Sequence, residues 1–557
     1  MRTSTTTMTR RAFLGGVLAA PWLQSGVAWA EALSDSSMQR RIEAVIPAEA
    51  FARPRKHRRL LIFDLNVGYG GHGSIPVANA AFTLLGEKTG AFETVISRDA
   101  SIFQPESLRQ FDAVFLNNTV GNLFEDAGLR QSLIAFVYGG GGLLGVHGTS
   151  VAFTRWPGAV EDWPEFGIML GARGANHRDS DEHVFIKLDD PDHPLNQPFG
   201  GQGFEYRDEF FRVHGPYSRD RVRVLFSIDT DKTTFQGQPR GNCDREDNDY
   251  ALAWVRQYGR GRVFYSTIAH NPYVFWDAKM LQFYLAATQF ALGDLPAPTT
   301  PSAKLTPAVR AQEQLGWRLG LTSPAPGNST LFEAIDRAAE SGLLYVGGCH
   351  HQKVGSEIPA NFDAQLSDDR LKQIRLKLDA AGVRLLTYGA GLMPSDETGA
   401  RQVFEFARKM GVETIMAEPA RDALGTVTRF CDEYDIGFAL ADRDGGASLQ
   451  YAHPHEVLNI CAGLSKRIGV YGSLAAWQRT GVDPTEAVRM LRNRLIALDI
   501  GTAENGPLWR EMHRLDLKPV MFSIESPTED AGSTRKISES IQFFNDMSVQ
   551  LAKRGEL

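Results

Sequence analysis

Eight short apolar runs constrain this chain more than any other feature. From Leu315 onward "LGWRLGL", "LLYVGG", "VRLLTYG", "ETIMAEP", "GFALAD", "RIGVYGS", "LIALDI" and "PVMFSIES" recur at roughly 25 to 35 residues. Amphipathic stretches such as Leu371 to Ala381 and Arg401 to Met410 fall between them. Strands buried on both faces read as continuous apolar runs, and eight of them alternating with helices predict a (β/α)8 barrel over residues 313–550. Chemistry in such a barrel collects where strands end, at Glu418, Asp442, Ser473, Asp499 and Glu525.

The 557 residues exceed what one core holds, so a second domain is expected. In the first half "RLLIFDLNV", "AVFLNNT", "GLLGVHG", "VRVLFSI", "YALAWVRQ" and "GRVFYSTIAH" read as strands, with helices such as Val77 to Leu85 and Leu129 to Tyr138 among the early ones. This predicts an open parallel or mixed α/β sheet over 55–295. "GDLPAPTTPSAKLTPAVR", Gly293 to Arg310, is rich in Pro, Thr and Ala without periodicity and reads as a linker, placed at 296–312.

A net charge of −7 without a long basic run argues against nucleic acid and anionic membranes as partners and leaves a small molecule. Cys243, Cys349, Cys431 and Cys461 show no CxxC spacing, which excludes a cysteine-built zinc site or a disulfide framework. Residues 1–30 read as a twin-arginine signal: Arg10-Arg11 precedes a moderately apolar stretch, and Ala28-Trp29-Ala30 forms an A-x-A cleavage site. The expectation is a periplasmic protein with the twin-arginine export machinery as a partner and no membrane span in the mature chain. That route carries folded proteins, which favours a metal-containing product.

"YGGGGLLGVHGTS", Tyr138 to Ser150, sends four glycines into a strand that ends on His147. Together with "GHGSIP", "FDAVFLNNT", "DEFF", "YALAWVRQYGRGRVFYSTIAHN" and "LQFYLAATQFALGD", this stretch resembles the ThuA (trehalose-utilisation) family, whose fold is like that of class I glutamine amidotransferases. There the corresponding strand ends on a nucleophilic cysteine. An imidazole in its place rules out acyl-thiol chemistry and leaves a metal ligand, a general base or a hydrogen-bonded group. His177 and His270 resemble the family's other recurrent histidines, and Glu209 belongs to its "DE" segment. The resemblance implies a zinc-type site of His147, His177, Glu209 and His270, with His147, Glu209 and His270 as catalytic candidates. His72, Asn117 and Asp208 are substrate-binding candidates, and Tyr206 or Trp254 is expected to offer a stacking face to a sugar ring.

The second half, through "FEFARKMGVETIMAEP", "SKRIGVYGSLAAWQRTGVDPTEAVRML" and "FSIES", resembles the sugar phosphate isomerase/epimerase superfamily of xylose-isomerase-like barrels. The resemblance implies one divalent metal at four strand ends. Glu418 and Glu525 match its glutamates, but Ser473 and Asp499 stand where an aspartate and a histidine are expected, Ala476 replaces a histidine, and Arg443 adds a cation. Glu418, Asp499 and Glu525 could hold Mg or Mn through oxygen, although the replacements favour a lapsed site in a barrel kept for binding or rigidity. Together the resemblances imply an exported carbohydrate-processing enzyme acting on a sugar or an oxidised (3-keto) glycoside. Its chemistry would be metal- or His-assisted proton abstraction leading to isomerisation, epimerisation, or eliminative or hydrolytic cleavage. The rival is a non-catalytic periplasmic carbohydrate-binding protein with a degenerate barrel.

Overall fold

The apolar runs of the first half form one nine-stranded sheet. The computed structural model describes residues 35–241, 243–322, 329–441, 449–501, 506–525 and 531–554, so the expected signal peptide and Asp442 and Arg443 lie outside the described residues. The strands are β1 (Arg59–Phe63), β2 (Glu93–Ser97), β3 (Ala113–Asn117), β4 (Gly142–Val146), the short β5 (Thr154–Arg155), β6 (Val160–Glu161) and β7 (Arg173–Asn176), then β8 (Glu182–Leu188), β9 (Phe204–Asp208), β10 (Arg212–His214), β11 (Arg223–Ile228), β12 (Ala251–Tyr258) and β13 (Gly261–Ser266). The order is β2-β1-β3-β4-β13-β12-β11-β8-β9. The first five strands of that order are parallel and the remaining pairings antiparallel.

Alternation along each strand sends its side chains to two cores. Leu60, Ile62 and Phe115 pack with Phe82 and Tyr284 of the helices Ile75–Thr89 and Ala278–Leu292. Leu61, Phe63 and Val114 pack with Leu133, Ile134 and Phe166 of the helices Ala127–Tyr138 and Pro164–Leu170 on the other face. Asn117 and Ser266 both pair with Val146, so β3, β4 and β13 end level with one another. The loops that follow them, and the one after β1, therefore share one edge of the sheet, where an α/β sheet offers its ligand crevice.

All eight runs of the second half are strands of a closed parallel barrel: β14 (Leu319–Thr322), β15 (Tyr345–Cys349), β16 (Arg384–Met393), β17 (Thr414–Pro419), β18 (Gly437–Leu440), β19 (Ile468–Ser473), β20 (Leu495–Asp499) and β21 (Phe522–Glu525). The predicted linker needs correction. A helix, Pro307–Leu315, begins inside it, capped by the Thr306 hydroxyl, which accepts from Val309 N, and ended by Gly316 at φ 69°. It buries Ala311 and Leu315, and Gln312 donates to Asn545 of the C-terminal helix Ala531–Arg554. Its burial makes it part of the barrel's shell.

The two halves meet across ion pairs whose carboxylates Asp379 and Glu165 are buried. The Asp379 carboxylate receives Arg221 and Arg256, Glu165 faces Lys372 at 3.3 Å and Arg375 at 3.6 Å, and Arg223 reaches Glu313 at 2.8 Å.

Candidate metal centre

β4 stops at Val146, and His147 turns out of the strand at φ 40°, a left-handed conformation that non-glycine residues adopt when their surroundings impose it. Those surroundings are specific. Gly148 N donates to Asn118 Oδ1 at 3.1 Å, and Tyr265 donates its hydroxyl proton to the His147 carbonyl at 2.9 Å. Thr149 Oγ1 receives Val146 N and donates to Leu116 O. A Cβ on Gly148 would lie 2.9 Å from Val120 and 3.2 Å from the His72 ring, so a glycine there lets His72 approach.

The fully buried His147 ring places Nδ1 3.0 Å from Thr267 O. A carbonyl only accepts, so Nδ1 carries the proton and Nε2 presents a lone pair. Such a backbone acceptor fixes the tautomer of metal-binding histidines. Nε2 faces Glu209 Oε1 at 3.4 Å, while Glu209 Oε2 has His177 Nδ1 at 3.2 Å and His270 Nε2 at 3.6 Å. The His72 ring lies 4.9 Å from that of His147 and 5.3 Å from that of His270. Segments distant in sequence are thus gathered at the sheet edge identified above, with Phe211 N tied to Thr267 Oγ1 at 2.8 Å so that the Glu209 segment docks there.

Burial holds His147 down to about 3, and His177 and His270 down to about 4, from an ordinary imidazole value; His72 is also well below it. The rings are neutral at pH 7. Buried nitrogens of all four, including His147 Nε2 and His177 Nδ1, have no hydrogen-bond partner among the described residues. Neutral lone pairs turned toward a carboxylate do not stabilise one another, whereas a cation among them satisfies all of them. Bonds of about 2.0 to 2.2 Å in a tetrahedral site put neighbouring ligand atoms about 3.4 Å apart, which is the spacing around Glu209. The ligand atoms of His72, His147, Glu209 and His270 lie within 4.8 Å of one another, the only such group among the described residues. The donor set fits a zinc-type ion.

Several expected roles change. His72, expected to bind substrate, stands with the ligand group, and His177 touches Glu209 from outside the tightest set. His270 does not end a strand: β13 stops at Ser266, and His270 sits on the following loop. Asp208 pins that loop rather than facing substrate, accepting from His270 N at 3.1 Å and Asn271 N at 2.9 Å; burial pushes it up to about 8. Asn117 is fully buried and donates to Ile75 O and Asn79 Oδ1, supporting a helix. Its neighbour Asn118, not singled out from sequence, joins the His147 turn to Ser74 and Ala269. Trp254 is fully buried, stacked on Tyr265 at 4.5 Å with Nε1 donating to Leu170 O, and Tyr206 packs against the core with its hydroxyl buried. Neither offers a face to a sugar.

In the barrel, Asp499 and Glu525 line a cavity of about 150 Å³ at the strands' carboxyl ends with Thr322, His350, Tyr471 and Arg479; Glu418 is not among its described lining residues. Ser473 donates to Asp499, whose carboxyl is pushed up to about 7 by burial and then by Glu525.

No curated protein matches the chain. Among solved structures it is similar to an uncharacterized protein from Parabacteroides distasonis ATCC 8503 (21% identity, 42% of this chain and 99% of that one, TM-score 0.36). It is also similar to a ThuA-like protein from Bacteroides uniformis ATCC 8492 (18% identity, 44% and 94%, TM-score 0.35). A sugar phosphate isomerase/epimerase from Parabacteroides distasonis ATCC 8503 is a further similar structure (11% identity, 41% and 94%, TM-score 0.32). The sheet that carries the histidine cluster coincides with a family match: residues 59–291 match the ThuA family model, described as trehalose utilisation.

Proposed function

We propose that the chain is an exported carbohydrate-processing enzyme whose ThuA domain holds one divalent metal, zinc by the donor set, and acts on a sugar or an oxidised (3-keto) glycoside. The observation that carries this reading is the gathering of ligand atoms of His72, His147, Glu209 and His270 within 4.8 Å of one another, with the Nε2 lone pair of His147 lacking a partner among the described residues. His72, His147, Glu209 and His270 would hold the ion, with His177 against Glu209. A metal held there with one position left to substrate would act as a Lewis acid on a carbonyl or hydroxyl oxygen.

The chain's own residues perform the rest. Thr267 O fixes the His147 proton on Nδ1, and Asp208 fixes the backbone of His270. His177 is neutral, partly accessible and turns Nδ1 to the Glu209 carboxylate at 3.2 Å, so it is the group placed to accept a substrate proton at its other ring nitrogen, Nε2, with Glu209 stabilising the imidazolium through Nδ1–H. Proton abstraction beside a carbonyl is the step shared by isomerisation, epimerisation and eliminative cleavage. The barrel, in which Ser473 and Asp499 stand where an aspartate and a histidine are expected, contributes binding or rigidity. Export rests on Arg10-Arg11 and the A-x-A site ending at Ala30.

Elemental analysis of protein purified without added metal tests this reading. One equivalent of a transition metal is expected, lost in His147→Ala; a metal-free preparation that also fails to take up zinc overturns it.

A further inference from the structure

The side of the metal centre facing solvent is framed by apolar groups. The loop after β1, "NVGYGGHGS", Asn66 to Ser74, carries His72 inward and two side chains outward: Val67 is 38% and Tyr69 37% exposed, two of the five exposed large apolar side chains among the described residues. The loop leans on the segment after β5, since a Cβ on Gly68 would fall 2.9 Å from Trp156 O. Trp156 is half-buried on the small cluster of Val120, Val151 and Phe211, and Phe211 in turn lies 4.7 Å from the His147 ring. The Tyr69 ring stands 5.0 Å from His72 and 5.8 Å from Trp156. Its hydroxyl makes no hydrogen bond among the described residues; burial, and then the charge of Glu209, raises it.

A large aromatic side chain part-exposed beside a cluster of ligating groups, with a hydroxyl open to solvent, has what a ligand requires. Aromatic rings take the C–H face of a pyranose, and a phenol supplies a donor to its oxygens. The geometry points to Tyr69 as the residue that meets the substrate: its ring, with Trp156, receives the apolar face of a sugar, and its hydroxyl bonds a sugar oxygen on the Glu209 side. This rests on the carbohydrate reading above and replaces Tyr206 and Trp254, both turned into the core, as the stacking face.

Saturation-transfer NMR with trehalose and with glucose as probes, on zinc-treated full-length protein, tests the assignment, with metal content measured on the same samples. The wild type is expected to transfer saturation to the ring C–H protons, Tyr69→Ala to lose at least ten-fold of the signal, and Tyr69→Phe to keep the stacking transfer with weaker affinity. Zinc content is expected to be equal in all three. Equal transfer in wild type and Tyr69→Ala overturns the assignment, as does loss of zinc in Tyr69→Ala, which would make Tyr69 a support of the cluster, or absence of transfer from the wild type to both sugars. Sugar transfer to a wild type that holds no zinc would sink the metal reading and leave the aromatic rim standing.

Discussion

Replacing Glu209 by Gln separates a site built for a cation from one built for stability, because the two predict opposite signs. The side chain is 6% exposed and the exchange keeps its volume, so no cavity term enters. Around it stand His147 Nε2 at 3.4 Å, His177 Nδ1 at 3.2 Å and His270 Nε2 at 3.6 Å, all on neutral rings. In the metal-free protein a carboxylate gives the His147 Nε2 lone pair no proton, whereas a glutamine amide has an N–H to donate to it. A net hydrogen bond is worth about 0.5 to 1.5 kcal/mol, so metal-free Glu209→Gln should gain about 1 kcal/mol. For a unit of 150 to 250 residues each kcal/mol moves the midpoint by about 2 to 4 °C, so its melting transition in EDTA should rise by a few degrees. With zinc the order reverses. Removing a group that only supports a ligand costs 10- to 100-fold in affinity, and removing the one anionic ligand should cost at least 100-fold. Calorimetric melting with EDTA and with zinc, beside zinc titration, reads both signs. Zinc affinity within ten-fold of wild type would refute the reasoning, as would a metal-free variant less stable than wild type by more than 1 kcal/mol.

The pH dependence has a defined sign. Burial holds His147 at about 3 and His177 and His270 at about 4, so protons compete for these nitrogens only below those values, and metal should survive dialysis at pH 5.5 but not at pH 3. In metal-free protein the folded state binds fewer protons than the unfolded chain between about pH 4 and 6.5, so stability should fall as pH drops through that window; a melting temperature flat over that range would contradict the lowered values. Glu525→Gln should leave metal content at one equivalent, and a second equivalent lost with it would mean that the barrel binds its own ion. N-terminal sequencing of the native protein is expected to begin near Glu31, and a retained Met1 would remove the export argument. Asp379→Ala strands Arg221 and Arg256 at the junction between the halves, so it should cost about 3 to 5 kcal/mol or decouple two melting transitions, and an unchanged single transition would show that the junction does not depend on that carboxylate.

The barrel was legible because each of its strands is buried on both faces and announces itself as an apolar run without help from its neighbours. The ligand set was legible in part. His147 follows from the glycines that lead to it, but His72 carries an equal signal, a histidine in the glycine-rich loop after the first strand, which the sheet order brings to the same edge. Asn117 and Asn118 show the limit of pattern reading. One residue decides whether a side chain belongs to the strand's pleat or to the turn beyond it, and Asn118 at φ 52° has already left the strand. Trp254 lies on a central strand with helices over both faces, a fact that depends on the strand order and not on its local sequence. The helix at Pro307 carried a readable signature, threonine cap, proline in the first turn and closing glycine, masked by the prolines before it.

His72, His147, Glu209 and His270 lie on four stretches of chain separated by 198 residues from first to last. An ion held by all four is therefore a knot as well as a reagent, closing three long loops at a single point. Loaded protein cannot peel away the loop after β1, the elbow after β4 or the segment after β13 without first letting go of the ion. Resistance to proteases in these loops should thus appear and vanish with metal.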